Sequence, residues 1–395
     1  MKIRTVDQLD LSGKRTLIRV DFNVPIDKSG KVTDDTRLKA AIPTIRAATD
    51  KGAKTILLSH LGRPKGKPVP EMSLAPVAPL LSDLLGKPVA FAEDCVGEVA
   101  ARAVAAMKPG DVLLLENVRF HAGEEKNDEE FGKKLAELCD AYVNDAFATA
   151  HRGHSSNVAI LKFVKERAAG LLMKDEIAYF EKALVSPARP LAAIFGGAKI
   201  SGKIEAIDHV LGKVDKILIG GAMANTFFAA QGFEVGKSLY EAGMIATAKR
   251  VLERAAERKV KLYLPVDVVA ADRIEAPSSV RNVPVQEIPD GMMALDIGPA
   301  SGVLFREALH DAKTIVWNGP MGVFESAPFA GGTQAVMRAL AESDATTIVG
   351  GGDTDTALHK AGLFSRMSYV STGGGAFLEL LEGKRLPGIA ALEEA

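Results

Sequence analysis

Cysteine is scarce. Only Cys95 and Cys139 occur in 395 residues, and neither stands in a metal-binding or redox motif. A disulfide across so long a separation is conceivable, but two buried reduced thiols suit a cytosolic protein better. Long apolar runs are also lacking, and none reaches the length needed to span a bilayer. The N-terminus, MKIRTVDQLDLSGKR, is charged and has no apolar signal core. These absences predict a soluble, cytoplasmic protein with no membrane partner. Charge of one sign is lacking as well. Lysine plus arginine number 49 against 50 acidic residues, a net charge of −1. Global charge therefore implies no nucleic-acid partner, and any cationic site must be local.

What is present is the composition of a globular protein, 47% apolar and 25% charged, in a length that suggests two domains with ample core. The most informative stretch is LAAIFGGAKISGK, residues 191–203. Leu191 to Phe195 reads as a buried strand, followed by Gly196 and Gly197 and then Lys199 and Lys203. A helix opening near Lys199 would place both ammonium groups on one face. A glycine turn leading into a basic helix start suits phosphate. A tight turn with two solvated lysines is the plainer alternative. Gly197, Gly202 and Lys203 nearly spell a Walker A loop, but Ile204 stands where a magnesium-binding hydroxyl belongs. A metal ligand must then come from elsewhere.

In the first half, apolar runs at Arg15 to Phe22, Thr55 to Ser59, Val112 to Leu115 and Ala141 to Val143 alternate with helical patterns such as Arg37 to Thr49 and Glu98 to Met107. This alternation predicts a parallel sheet covered on both faces, with ligands outside the carboxyl ends of its strands. Those ends carry Asp21 and Asn23, then His60 to Pro64, Glu116 to Arg119, and Asn144 to His154. Arg37, Arg63, Arg119 and Arg152 would converge there with His60 and His151. The inferred ligand is small and carries several negative charges. Asp21 suits a general base, an orienting partner for arginines, or a hydroxyl-binding group. No cysteine or carboxylate cluster accompanies His151 and His154 to support zinc. Lys65 to Pro76 reads as a surface loop, and Gly123 to Glu130 as a solvated acidic turn and helix start.

A helical pattern from Leu171 to Leu184, stopped by Ser186, Pro187 and Pro190, is either a spacer between domains or a crossover helix within one. Beyond it, strands are expected at Leu191 to Phe195, Lys216 to Ile219, Lys261 to Leu264, Met293 to Ile297, Thr314 to Trp317, Thr346 to Val349 and Met367 to Val370. Their ends are rich in glycine, which permits close backbone approach and suggests a slot for a planar, phosphorylated ligand such as a nucleotide. Asp353, after a triple glycine, suits either Mg²⁺ or a helix N-cap. Glu325 is placed for a ribose.

Eight blocks in order now carry a resemblance: RVDFNVP, SHLGRP, LLLENVRF, VNDAFATAHRGHSS, GGAKISGKI, WNGPMGVFE, GGGDT and STGGGAFLELLEGKRLPG. Over nearly its whole length the chain resembles phosphoglycerate kinases. Ala148, Gly153, Gly202, Asp355 and Thr356 depart from the usual pattern. The resemblance implies an α/β protein of two Rossmann-like domains, each a parallel sheet flanked by helices, joined by a hinge with an inter-domain helix. The expected boundaries are 1–170 for a phosphoglycerate-binding domain, with the tail from 383 packing back on it, and 171–382 for a nucleotide-binding domain. It implies a usually monomeric enzyme that moves a phosphoryl group between 1,3-bisphosphoglycerate and Mg-ADP, giving 3-phosphoglycerate and Mg-ATP.

By the same resemblance, Asp21, Phe22, Asn23, Arg37, His60, Leu61, Gly62, Arg63, Arg119 and Arg152 hold the glycerate substrate. Gly197, Ala198, Lys199, Lys203, Gly221, Asn318, Pro320, Glu325, Gly351, Gly352, Asp353 and Thr354 match nucleotide positions, with Asp353 at Mg²⁺. Arg37, Lys199 and Lys203 are the expected catalytic cations. A nicotinamide-dependent dehydrogenase would need a G-x-G-x-x-G after the first strand, which is missing, and would leave the arginines unexplained. A non-catalytic nucleotide-binding scaffold is the other alternative, and the intact Arg37, Lys199, Lys203 and Asp353 speak against it.

Overall fold

The computed structural model describes residues 3–393. The chain forms two compact units. One runs up to Ile177 and takes in the segment from Arg385, and the other is Ala178–Lys384.

The first unit is built on a six-stranded, all-parallel sheet of β1 (Arg15–Arg19), β2 (Lys54–Leu58), β3 (Val89–Ala92), β4 (Val112–Leu115), β5 (Ala141–Asn144) and β6 (Glu166–Ala169). Its order is β3-β4-β2-β1-β5-β6. The central strands are near-continuous apolar runs, as strands buried on both faces must be. The chain winds from β1 outward through β2, then returns to place β5 on the other side of β1. The topological switch point therefore lies between β1 and β5, and a crevice opens outside their carboxyl ends.

The structure adjusts the sequence reading here. The first strand ends at Arg19, so residues 20–25 are free to form the site loop. The edge strands β3 and β6 were not foreseen. VAFA is a short run and ERAA opens with two charged residues, and both strands are only partly buried. The acidic turn is not wholly solvated, because Glu124 is fully buried within it. Asp128 caps the helix Glu129–Ala136 by accepting from Phe131 N at 2.8 Å. The last helix, Pro387–Glu393, belongs to this unit, and Gly388 N donates to Ala150 O at 2.8 Å.

The helix Leu171–Phe180 runs on into a π-helical turn, Glu181–Val185, and the boundary between the units falls inside it. Asp145 holds its first turn. Its Oδ1 accepts from Met173 N at 3.2 Å, while Leu171 N donates to Thr44 Oγ1 at 2.8 Å.

The second unit carries another six-stranded parallel sheet: β7 (Leu191–Phe195), β8 (Lys216–Ile219), β9 (Lys261–Tyr263), β13 (Thr314–Asn318), β14 (Thr346–Gly350) and β15 (Tyr369–Val370), ordered β15-β14-β13-β7-β8-β9. Its switch point lies between β7 and β13. Three further strands, β10 (Asp267–Ala271), β11 (Val280–Pro284) and β12 (Met293–Ile297), form an antiparallel sheet ordered β11-β10-β12. Met293–Ile297, expected in the parallel series, is therefore a strand of this smaller sheet. The exposed sequence VRNVP of β11 carries no apolar alternation to announce the hairpin. A core containing Trp317, Phe305, Ile194 and Leu218 fills the space between the parallel sheet and its helices.

Candidate active site

Asp21 and Arg37 meet at the mouth of the first crevice. Arg37 Nη1 donates to Asp21 Oδ2, and the other carboxylate oxygen accepts from Asn23 N at 3.2 Å. Asn23 Oδ1 in turn accepts from Gly62 N at 2.9 Å, tying the loop after β1 to the loop after β2. Phe22 and Leu61 are buried beneath this link. Arg119 is buried too. Its Nη1 donates to Gly62 O at 2.8 Å, its Nε pairs with Glu125 at 3.4 Å, and its Nη2 is buried without a hydrogen-bond partner. An unpaired guanidinium N–H withheld from water is costly unless a ligand satisfies it. Burial and the neighbouring Arg19 and Arg152 push the Arg119 pKa down to about 10.

His60 reports how closely these groups converge. It is buried, 3.8 Å from Asp21 Oδ1, and its Nδ1 lies 3.2 Å from Arg19 Nη2. Burial foremost, then the charges of Arg19, Arg119, Arg152 and Arg37, holds its pKa well below the usual histidine range. The imidazole is thus neutral, with Nδ1 accepting from the guanidinium. Arg152 Nε donates to His151 Nε2 at 3.3 Å. His154 is depressed to about 3 by burial and the same arginines, which suits neither a proton carrier nor a cation site. Arg63 is exposed and makes no hydrogen bond or ion pair among the described residues.

Sequence reading missed the support beneath the arginines. Arg19 is fully buried, and its Nε donates to Ser156 Oγ at 2.9 Å. Ser156 Oγ donates onward to Glu124 Oε1 at 2.6 Å, and Ser156 N donates to Glu124 Oε2 at 2.9 Å. Asn117 joins the loops by donating to Leu61 O at 2.7 Å and Met72 O at 2.9 Å. The available signal was an arginine, Arg19, directly after the apolar pair Leu17 and Ile18 and before Val20.

In the second unit, the expected helix at Lys199 does not form. The helix begins at Ile204, with Lys203 as its N-cap residue. Lys199 and Lys203 therefore do not share a helical face: Lys199 is exposed, while Lys203 turns inward. Glycines at positions 196, 197 and 202 account for the delay, since their backbone freedom favours turns over helix. Lys203 Nζ donates to Gly196 O at 2.6 Å and Asn318 O at 3.0 Å, across the switch point between β7 and β13. Burial lowers its pKa to about 8, opposed by the charge of Asp353.

Beside it lies a cavity of about 610 Å³, whose lining includes Gly197, Ala198, Gly221, Pro320, Glu325 and Asp353. Two glycines are obligatory here. A Cβ on Gly221 would lie 2.4 Å from Gly197 N, and one on Gly319 would lie 2.4 Å from Gly196 O. Leu239, Tyr240, Leu295, Val323 and Phe324 supply an apolar wall that the glycine pattern did not reveal. Lys199, Lys203, Asn318, Gly351, Gly352 and Thr354 do not line the cavity. Instead, Asn318 Nδ2 donates to Gly350 O at 3.1 Å, and Thr354 Oγ1 accepts from Gly319 N at 3.0 Å, fixing the loop ends. Gly351 has φ 106° and is itself the N-cap of the helix Gly352–Lys360. Asp353 therefore sits in the first turn instead of capping it. Its exposed carboxylate makes no hydrogen bond or ion pair among the described residues, and so fits a hard cation beside phosphate.

The family description that matches residues 6–384 is Phosphoglycerate kinase. The chain belongs to the phosphoglycerate kinase family. The phosphoglycerate kinase of Geobacter metallireducens (strain ATCC 53774 / DSM 7210 / GS-15) is 58% identical over 395 residues, covering 100% of this chain and 99% of that protein. The structure of phosphoglycerate kinase from Coxiella burnetii aligns with a TM-score of 0.92 at 44% identity, over 100% of this chain and 99% of that one. That of phosphoglycerate kinase from Pyrococcus horikoshii OT3 aligns at 0.86 and 34%, over 99% and 98%. Membership makes this chain a transferase of glycolysis, a kinase with ATP and ADP as substrates and a carboxyl group as acceptor.

Two departures from the phosphoglycerate kinase pattern have simple structural readings. A Cβ at Gly202 would meet nothing within 4 Å, so the glycine relieves no crowding. Asp355 pairs with His359, one turn along the same helix, at 3.4 Å. Among the described residues, no helix is long and apolar enough to cross a membrane.

Proposed function

We propose that the chain catalyses reversible in-line transfer of a phosphoryl group from 1,3-bisphosphoglycerate to Mg-ADP, giving 3-phosphoglycerate and Mg-ATP, without a phosphoenzyme. The observation that carries this reading is the convergence of Arg37, Arg119 and Arg152 around a neutral, buried His60 in one unit, while the other holds a glycine-lined cavity. The first suits a small polyanion and the second a nucleotide.

Asp21, Phe22, Asn23, Arg37, His60, Leu61, Gly62, Arg63, Arg119 and Arg152 form the glycerate site, with the unpaired Nη2 of Arg119 open to an anionic oxygen. Gly197, Ala198, Gly221, Pro320 and Glu325 line the nucleotide site, and Asn318, Gly351, Gly352 and Thr354 belong to it at the neighbouring loop ends. Arg37, Lys199 and Lys203 are the catalytic cations. Phosphoryl transfer asks the protein mainly for alignment and positive charge on the equatorial oxygens. The substrate carboxylate is itself nucleophile or leaving group, so no general base is required. Asp21 then orients Arg37 instead of moving a proton. Asp353 would hold Mg²⁺, which when bound supplies positive charge to the nucleotide phosphates.

The ligands sit on separate units, so hinge bending about the connecting helix must bring them together and exclude water from the acyl phosphate. The enzyme acts as a cytoplasmic monomer on small molecules, with no nucleic-acid partner.

The deciding experiment mixes purified protein with 3-phosphoglycerate, ATP and Mg²⁺ and follows acyl phosphate in a coupled NADH assay. Magnesium-dependent turnover in the kinase range of about 1–100 per second supports the reading. Nucleotide binding without turnover would replace it with another carboxylate acceptor or a scaffold role.

A further inference from the structure

The turn after β3 and the segment after β4 bring together three residues that the transfer reaction does not use. Asp94 and Cys95 lie between β3 and the helix Gly97–Ala106, and His121 directly follows the short helical turn Val118–Phe120. Ala92 and Leu115 are register partners at the ends of β3 and β4, so the parallel pairing itself places the two segments side by side. The ligand atoms of Asp94, Cys95 and His121 lie within 4.8 Å of one another. His121 Nε2 is 2.7 Å from Asp94 Oδ1, and its ring stacks on Phe131 with centroids 5.1 Å apart. The Cys95 sulfur is buried, while Asp94 and His121 are half-exposed and open a path from solvent.

We propose that Asp94, Cys95 and His121 form a binding site for a borderline-soft divalent cation of the zinc class. A sulfur, an imidazole nitrogen and a carboxylate oxygen are the donor set that zinc favours, whereas Mg²⁺ and Ca²⁺ take oxygen. Zinc bonds of about 2.3 Å to sulfur and about 2.0–2.2 Å to nitrogen and oxygen require ligand atoms roughly 3.3–3.7 Å apart. From separations of up to 4.8 Å, the half-exposed Asp94 and His121 side chains would make that adjustment on binding. Asp94 Oδ1 already accepts from Cys95 N at 2.6 Å, which leaves Oδ2 for the ion. Three protein ligands leave the fourth position to solvent. On binding, the sulfur–metal bond forms as the thiol proton passes to buffer.

The test is equilibrium binding of Zn²⁺ to tag-free, reduced protein, followed by Co²⁺ substitution and absorption spectroscopy. One bound ion with a thiolate-to-cobalt charge-transfer band is expected. His121→Gln, a half-exposed change that leaves the core intact, and Cys95→Ser should each weaken binding by more than the ~10–100-fold that loss of an outer-shell partner costs. Cys139→Ser should leave it unchanged. Zinc held at Asp353 instead would survive both His121→Gln and Cys95→Ser, and that result overturns the proposal. So does the absence of stoichiometric binding, which would make the Asp94–His121 contact an ordinary hydrogen bond between two loops.

Discussion

The ammonium of Lys203 donates to the carbonyl oxygen of Asn318 at 3.0 Å, although the two residues are 115 positions apart. That contact bridges the switch point of the second sheet and withdraws the lysine from water. It also sets how the charge behaves. In the ligand-free protein, burial lowers the pKa to about 8, well under the usual lysine value. Between about pH 8 and the unfolded value the unfolded chain binds more protons than the folded one. The stability penalty of burying this ammonium is therefore present in full below pH 8 and is relieved as pH rises through that window. The activity consequence runs the other way, since the proposed role of Lys203 in transfer needs the charged form. We expect kcat/KM to fall above about pH 8, with the falling limb moved to higher pH in Lys203→Arg.

Removing charge altogether tests the transfer reading directly. Lys203→Ala and Arg37→Ala should each lower kcat by about 10²–10³-fold, corresponding to roughly 2.7–4 kcal/mol of transition-state stabilisation. Steady-state kinetics in both directions would measure this. Near-normal kcat in both variants would contradict the proposed catalytic role of these cations.

Asp353→Asn tests the proposed metal contact separately from nucleotide recognition. Its carboxylate takes no part in capping its helix, so the substitution leaves the fold intact. ADP affinity measured with Mg²⁺ should fall about tenfold or more, while affinity without Mg²⁺ stays the same, by titration calorimetry.

The buried chain from Arg19 through Ser156 to Glu124 predicts a stability effect outside the substrate contacts. Burial raises the Glu124 pKa, offset by Arg19 and by the Ser156 hydrogen bonds. Arg19→Met removes the compensating charge and should destabilise the first unit by roughly 3–5 kcal/mol. Because losing Arg19 removes a charge that opposes this rise, the loss should be smaller at acidic pH, where the folded state can take up a proton at Glu124 instead of holding a stranded charge. Chemical denaturation at pH 5 and pH 8 would show it. Equal losses at both values would mean that lost packing, and not the stranded carboxylate, dominates.

Hinge closure has its own signature. Small-angle scattering should show compaction only with 3-phosphoglycerate and nucleotide present together. An unchanged radius of gyration at saturation would remove closure from the mechanism.

The sequence alone was enough to reveal the α/β alternation, since runs such as VLLL and LAAIF have no use except as strands buried on both faces. It also located the loop residues that gather at strand ends, because parallel sheets put their ligands there. Local chemistry could not show what depends on partners far along the chain. The inward turn of Lys203 is decided by Gly196 and Asn318, and the delayed helix start separates it from Lys199. The neutrality of His60 depends first on its burial and then on four arginines drawn from separate stretches of the chain. The buried Arg19 and Glu124 are joined through Ser156, which lies 137 positions from the first and 32 from the second. The antiparallel hairpin of β10 and β11 has too little apolar periodicity to be read locally. Asp94, Cys95 and His121 form no sequence motif, since β3 and β4 must pair before their following loops can meet.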